Sequence, residues 1–264
     1  MSDNFLINGT NFNVSSHIFQ TLYNDCIYFG FIKNDKPNIS GFLNQLIHHL
    51  SYYREDLHNE FLNKNNNDLD LVLNIEKNIY NTYLKNYDIS NSSKYNIQLR
   101  INKEYMKTFI KIVDCYLEKY KLDFTNYIRT LLFEYSLRPL CFREYLHIYT
   151  YSKILFDAKK NNQLVKIRLA KNIAATIVPA VIEKDFINNE YFIAGYTKHK
   201  EQTILIKYSD IVSVNLLNDY ELINEEDYKN LLEIIFEFFE LYASDNYNNS
   251  FNNNDSDKEI EWYG

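Results

Sequence analysis

One ten-residue stretch of this chain occurs twice. Asn38-Ile-Ser-Gly-Phe-Leu-Asn-Gln-Leu-Ile47 lines up without a gap on Asp123-Phe-Thr-Asn-Tyr-Ile-Arg-Thr-Leu-Leu132. Each copy opens on a residue whose side chain caps helices, and Phe42, Leu43, Leu46 and Ile47 fall on Tyr127, Ile128, Leu131 and Leu132. Upstream, Phe12-Asn-Val-Ser15 aligns on Leu99-Arg-Ile-Asn102, and an amphipathic helix follows each. A unit of strand, helix and helix is too small to bury its own apolar face. Two copies in one chain can pack on each other, and an internal repeat has to be found first because missing it mis-reads the fold. Such a repeat points to a binding architecture, not to an active site.

The pattern places the elements. Residues 11–15 read as a strand with Phe12 and Val14 inward and Asn11, Asn13 and Ser15 outward. Ile97, Leu99 and Ile101 alternate with Asn96, Gln98 and Arg100 in the same way. A helix from Ser16 to about Phe31 carries the stripe Ile18, Leu22, Cys26, Phe29, and Lys33–Pro37 is a turn. A second helix is capped by Asn38 and buries Phe42, Leu46 and Leu50. Residues 68–87 form an extra helix. Asn102 caps a helix running to about Tyr120, and Asp123 opens one that ends near Pro139.

From 145 onward the period changes. A helix through Tyr149–Ala158 gives way to short β patterns at Leu164–Leu169, Ile177–Ile182, Tyr191–Tyr196, Thr203–Tyr208 and Ile211–Leu216, with a hairpin turn at Asn188–Asn189. Spacing of this kind suggests a small barrel or curled sheet. Residues 225–243 form an amphipathic helix started by Glu225-Glu226-Asp227. The Asn/Asp/Ser-rich stretch after it reads as a disordered acidic tail. The expected organisation is thus 1–60 and 94–144 as two matching halves, 61–93 as a linker with an extra helix, 145–220 as the β domain, 221–243 as a helix and 244–264 as tail.

Charge separates along the same boundaries. The net charge of −7 hides +4 over residues 94–144, +3 over 145–220 and −10 over 221–264. The two basic segments permit contact with phosphates. Cys26, Cys115 and Cys141 have no metal spacing and read as reduced, buried small hydrophobes of an intracellular, cytoplasmic protein. No apolar run approaches the ~20 residues of a membrane span. Only five Gly and three Pro, with no phosphate loop, nucleophile elbow or metal motif, argue against an enzyme, a cofactor or a metal. His48 and His49 are adjacent on a helix and point to different faces, in surface or packing roles, while His147 and His199 stand alone.

The duplicated strand–helix–helix resembles the ribbon-helix-helix family. There, two copies pair their strands into one antiparallel ribbon that enters the major groove. Usually the copies come from two chains; here they can pair within one. The resemblance makes Asn11, Asn13, Gln98 and Arg100 the base-facing row. Their chemistry suits the role, since Asn and Gln bind adenine in bidentate fashion and Arg binds guanine. The N-termini of the capped helices at Asn38 and Asp123 would lie near phosphates. The same residue types are also what a merely solvated strand face carries.

Residues 145–217 resemble a WYL domain, through Tyr191-Phe192-Ile193 at the family's Trp-Tyr-Leu run, Pro179 upstream of it, and Lys207 at a basic position in the strand after it. Tyr191 replaces the Trp, and Ala175 stands where a basic residue is usual. The resemblance implies a small SH3-like barrel whose basic face binds an anionic ligand, often a nucleotide or nucleic acid. Lys166 and Arg168 share a strand face that Lys207 can join, and Tyr191 can stack on a base. Three unrelated surface charges and a core tyrosine are the alternative.

The expected fold class is α+β: a mainly helical ribbon-helix-helix pseudo-repeat, then an SH3-like barrel, then a C-terminal helix. Together the two resemblances imply a prokaryotic phage-defence regulator. One reading is a ligand-responsive transcriptional regulator that binds duplex DNA. Another is an accessory protein that binds single-stranded RNA and stimulates a type VI CRISPR effector nuclease. A third is a protein-binding module without nucleic acid. Homodimerisation is expected in the first two.

Overall fold

The computed structural model describes residues 9–86, 94–113, 123–169, 173–185, 190–248 and 260–263. It divides into two units, Met1–Tyr149 and Thr150–Gly264. Cys115 and the Asn188–Asn189 turn lie outside the described residues. No helix among the described residues is long and apolar enough to cross a membrane.

The first unit begins with Thr10–Ser15 (β1) and Ser16–Tyr28 (α1), whose cap is the Ser15 hydroxyl accepting from the Ile18 N–H. A tight hairpin of Ile32–Lys33 (β2) and Lys36–Pro37 (β3) follows. Its turn residues Asn34 and Asp35 both have positive φ, as a two-residue hairpin of this hand requires. Asn38 then caps Ile39–Lys64 (α2), accepting from the Gly41 N–H at 3.1 Å. Asp68 similarly caps Leu69–Asn86 (α3). The second copy contributes Lys94–Leu99 (β4), a short 3-10 turn, Met106–Lys111 (α4) and Phe124–Ser136 (α5), with Asp123 accepting from the Asn126 N–H at 2.8 Å. Leu140–His147 (α6) completes the unit.

One apolar core joins the two copies. Phe12, Val14, Ile18, Leu22, Cys26, Phe42, Leu46 and Ile47 pack with Ile97, Leu99, Phe109, Tyr127, Ile128, Leu131 and Leu132. These include the aligned positions of the repeat, so each copy supplies the surface that the other needs. The extra helix is built into this core through Tyr80, over which the Arg54 guanidinium lies at 5.0 Å. Arg54 also pairs with Glu134. A second buried knot holds α1 to α6: Asp25 accepts from Arg143 at 2.6 and 3.0 Å and from the Tyr135 hydroxyl at 2.7 Å.

Helix Tyr149–Asn161 (α7) starts on the last residue of the first unit; the rest of it opens the second, whose sheet is Gln163–Leu169 (β5), Ala174–Asp185 (β6), Glu190–Tyr196 (β7), Thr203–Lys207 (β8) and Ile211–Tyr220 (β9). Glu225–Asn248 (α8) packs on it through Leu231 and Ile235, and Ile260–Tyr263 (β10) joins its edge. The order is β10-β8-β7-β6-β5-β9. The five strands β5–β9 are antiparallel, and β10 lies parallel to β8. The long β6 is shared: Ala174–Ile177 pair with β5, and Val178–Asp185 pair with β7. A register shift between Pro179 and Val181 bends it at the changeover, and a bulge is one of the few places where a strand tolerates a proline.

The β domain is an open sheet, not the closed SH3-like barrel expected from the sequence. Among the described residues β9 pairs only with β5, and the outer edge of β8, which would have to meet β9, is taken by β10. Helix α8 continues to Asn248, past the expected 243, and Ile260–Tyr263 form a short strand; residues 249–259 lie outside the described residues.

Candidate nucleic-acid interface

β1 and β4 pair antiparallel in the register Thr10↔Leu99, Asn11↔Gln98, Phe12↔Ile97, Asn13↔Asn96. The repeat alignment equates Phe12 with Leu99, and so Asn11 with Gln98. The two residues that face each other are therefore equivalents of one another. That condition places a pseudo-twofold axis between Asn11 and Gln98, and the two pairs that flank it obey it. Phe12↔Ile97 maps onto Leu99↔Thr10.

Helix residues hold the ribbon, and they too come as symmetric equivalents. Asn44 of α2 donates from Nδ2 to the Arg100 carbonyl at 2.7 Å. Its aligned partner in the second copy is Arg129, and Arg129 donates from Nε to the Asn13 carbonyl at 3.0 Å. Asn13 is the aligned partner of Arg100. Each copy thus grips the other copy's strand at the same point. Ser40 adds an acceptor for the Arg100 N–H at 3.0 Å, and Asn44 Oδ1 accepts from the Asn102 N–H at 2.9 Å. Strand ends that would otherwise leave orphaned backbone groups are satisfied by side chains.

The inward face of the ribbon is Phe12, Val14, Ile97 and Leu99, all buried. The outward face carries Asn11, Gln98, Asn96 and Arg100, exposed, and Asn13, half-buried. Asn96 donates to the Asn13 side-chain oxygen at 3.1 Å. The four expected ribbon residues therefore lie on one face, around one axis, on a backbone fixed from both helices. Asn96 belongs to the row as well. Alternation had placed it there, but its direct hydrogen bond to Asn13 across the ribbon depends on register. The clamps Ser40, Asn44 and Arg129 were missed; the available signal was Asn44, a polar residue amid the apolar positions Leu43, Leu46 and Ile47.

In the second unit the expected cations lie on non-adjacent strands. Lys166 and Arg168 are exposed on β5, alternating with buried Val165 and Ile167. Lys207 is on β8, separated from β5 by β6 and β7, about 14 Å along the sheet at ordinary strand spacing. It is half-buried and paired with Glu190 at 3.1 Å, so its charge is already met. Tyr191 is half-buried and stacks on the buried Tyr208 with ring centroids 5.5 Å apart, in a role closer to packing than to an open stacking platform.

Burial pushes the Cys26 thiol up to about 11, and its S–H donates to the Phe31 carbonyl. Burial pushes His147 down to about 3, and lowers His49 well below the ordinary value with the neighbouring histidines adding to the effect. Both rings are neutral core residues.

No family model matches the chain, and no curated protein matches it. Among solved structures, the chain is similar to one described as the crystal structure of a CRISPR Cas-related protein. The TM-score is 0.58 with 13% sequence identity, over 87% of this chain and 68% of that one. At that identity the likeness is one of fold.

Proposed function

We propose that this protein is a nucleic-acid-binding regulator of the ribbon-helix-helix type, and that the β1–β4 ribbon is its contact surface. The carrying observation is the register, which puts Asn11 and Gln98 on a pseudo-dyad with Asn13, Asn96 and Arg100 beside them on one exposed face. The clamps from α2 and α5 preorganise that row, so little ordering entropy remains to be lost on binding. Amide side chains at the axis suit adenine, and Arg100 suits guanine. The dyad is one of backbone only. Where one half presents Arg100, the other presents Asn13, so the target is a near-palindrome with unlike halves. In this reading the second unit is a WYL-type sensor, and its ligand shifts ribbon affinity by binding one conformation better than the other. The protein acts without catalysis, and as a homodimer.

A second reading has one observation in its favour, the likeness to a CRISPR Cas-related protein. It is an accessory protein that binds single-stranded RNA beside a CRISPR effector nuclease. The two part in a titration at fixed moderate salt, comparing upstream duplex DNA with single-stranded RNA. The Gln98→Ala/Arg100→Ala protein should lose duplex binding by about 2–6 kcal/mol if both side chains make bidentate base contacts. Strong RNA binding untouched by that variant would favour the accessory reading.

A further inference from the structure

The second unit holds an open cleft of about 410 Å³, inside the range of roughly 300–1,000 Å³ usual for small-molecule sites. None of Lys166, Arg168, Tyr191 and Lys207 lines it. Its floor is Pro179 and Ala180, at the point where the register of β6 slips against β7. A bulge beside a ligand site is a common way to open a sheet surface. Its walls are the end of α7 and the start of α8, and one residue fixes both. Asn162 turns the chain with positive φ, its carbonyl accepts from the Glu221 N–H at 2.9 Å, and its side-chain oxygen accepts from the Ile223 N–H at 3.4 Å.

Two cations face this cleft from different helices, Lys159 near the end of α7 and Lys229 in the second turn of α8. Neither has an ion-pair or hydrogen-bond partner among the described residues. That sets them apart from Lys198, Lys200 and Lys207 of the same unit, which pair with Asp219, Asp227 and Glu190. The first turn of α8 is not what the cleft offers an anion, because Asn224 and Asp227 already cap each other's backbone at 2.8 and 3.0 Å. The ammonium groups are. Ile223 and Tyr228 add an apolar and aromatic wall, half-buried against the unit's core.

We propose that this cleft binds a small phosphorylated molecule with an apolar or aromatic body. The phosphate sits between Lys159 and Lys229, and the body lies against Pro179, Ile223 and Tyr228. The inference rests on the reading of the second unit as a sensor and moves its ligand from the β5 face to the α7–α8 cleft. Two ammonium groups outside any ion pair among the described residues favour a dianion over a neutral ligand, because each adds a charge-assisted hydrogen bond without first breaking an internal pair. The single Glu225 at the rim leaves the lining net positive.

The test is calorimetric titration of the full chain with AMP, GMP, CMP and UMP, and with adenosine and inorganic phosphate alone. The expected result is saturable binding of at least one nucleoside monophosphate, weakened tenfold or more by Lys159→Ala/Lys229→Ala and unchanged by Lys166→Ala/Arg168→Ala. Adenosine and phosphate alone should each bind more weakly than the best monophosphate. An unchanged urea midpoint, read from the emission of Trp262, the chain's only tryptophan, shows that the variants fold. No binding by any monophosphate, binding indifferent to the Lys159/Lys229 pair, or phosphate binding as tightly as the best monophosphate would each overturn the proposal. No nucleic acid enters this assay. A ribbon that fails to bind DNA or RNA therefore leaves the cleft standing, and an empty cleft leaves the ribbon.

Discussion

Lowering the pH from 7 to 5 is predicted to destabilise the first unit by about 2 kcal/mol through His147 alone. The ring is buried, stacks on Phe29 with centroids 4.2 Å apart, meets Phe31 and Phe42 at 5.6 and 5.7 Å, and leaves its Nδ1 without a partner. Burial in this apolar setting holds the folded-state pKa down at about 3. The unfolded chain titrates near 6.5. Between those values the unfolded state binds a proton that the folded state refuses, so stability falls as pH falls through that window and is level above it. At 1.36 kcal/mol for each pH unit, the 1.5 units from 6.5 to 5 give about 2 kcal/mol. His49, 6.4 Å away and depressed by burial and by its histidine neighbours, acts in the same direction. Carboxylates titrate lower, near 4, and add little above pH 5. Urea unfolding followed by hydrogen exchange of peptides from α2 would read the difference. His147→Phe keeps a ring against Phe29 and removes the proton site, so its pH 7-to-5 difference should shrink by about 2 kcal/mol whatever its stability at pH 7. Equal stability of the unsubstituted protein at the two pH values, or a His147 ring resonance titrating near 6.5, would refute the reasoning.

Two further substitutions probe the parts that hold the surfaces in place. Asn44→Ala removes the grip on the Arg100 carbonyl and the Asn102 N–H at once; the carbonyl keeps only the Ser40 hydroxyl at 3.4 Å and the Asn102 N–H loses its side-chain acceptor, which should cost about 1–3 kcal/mol and speed amide exchange across β4 more than across β1. Gly195→Ala should lower the urea midpoint of the second unit, read by Trp262 emission, by the equivalent of about 1–3 kcal/mol, because a Cβ at that position collides with the Val178 carbonyl oxygen beside the β6 bulge.

The repeat made the first unit legible from sequence. Period-2 alternation located both ribbon strands to within a residue or two, and Asn38 and Asp123 marked the helix starts where the structure has them. Helix α1 stops at Tyr28, short of Phe31, because Gly30 takes a positive φ and the β2–β3 hairpin follows. What did not show is what acts at long range. Asn44 and Arg129 reach carbonyls 56 and 116 residues away, and no local pattern encodes that. Strand β6 runs from Ala174 to Asp185, beyond the expected Ile177–Ile182, because its two ends pair with different neighbours, Ala174–Ile177 with β5 and Val178–Asp185 with β7. The pairing of Lys207 with Glu190 of the adjacent strand depends on the β7–β8 register, which local pattern does not carry. The parallel strand β10 hides in a polar, acidic stretch whose composition argues for disorder. The α7–α8 cleft left no trace in periodicity, since its cations lie 70 residues apart in sequence.

The central claim is that the β1–β4 ribbon reads nucleic acid around the Asn11–Gln98 axis. The most direct measurement is selection of binding sites from random duplex DNA at fixed salt, followed by the Arg100→Ala protein on the selected sequence. The account predicts a near-palindromic site with a guanine in one half only, whose preference Arg100→Ala relaxes at a cost of about 1–3 kcal/mol. Failure to enrich any sequence, or an enriched site whose preference Arg100→Ala leaves intact, would contradict it.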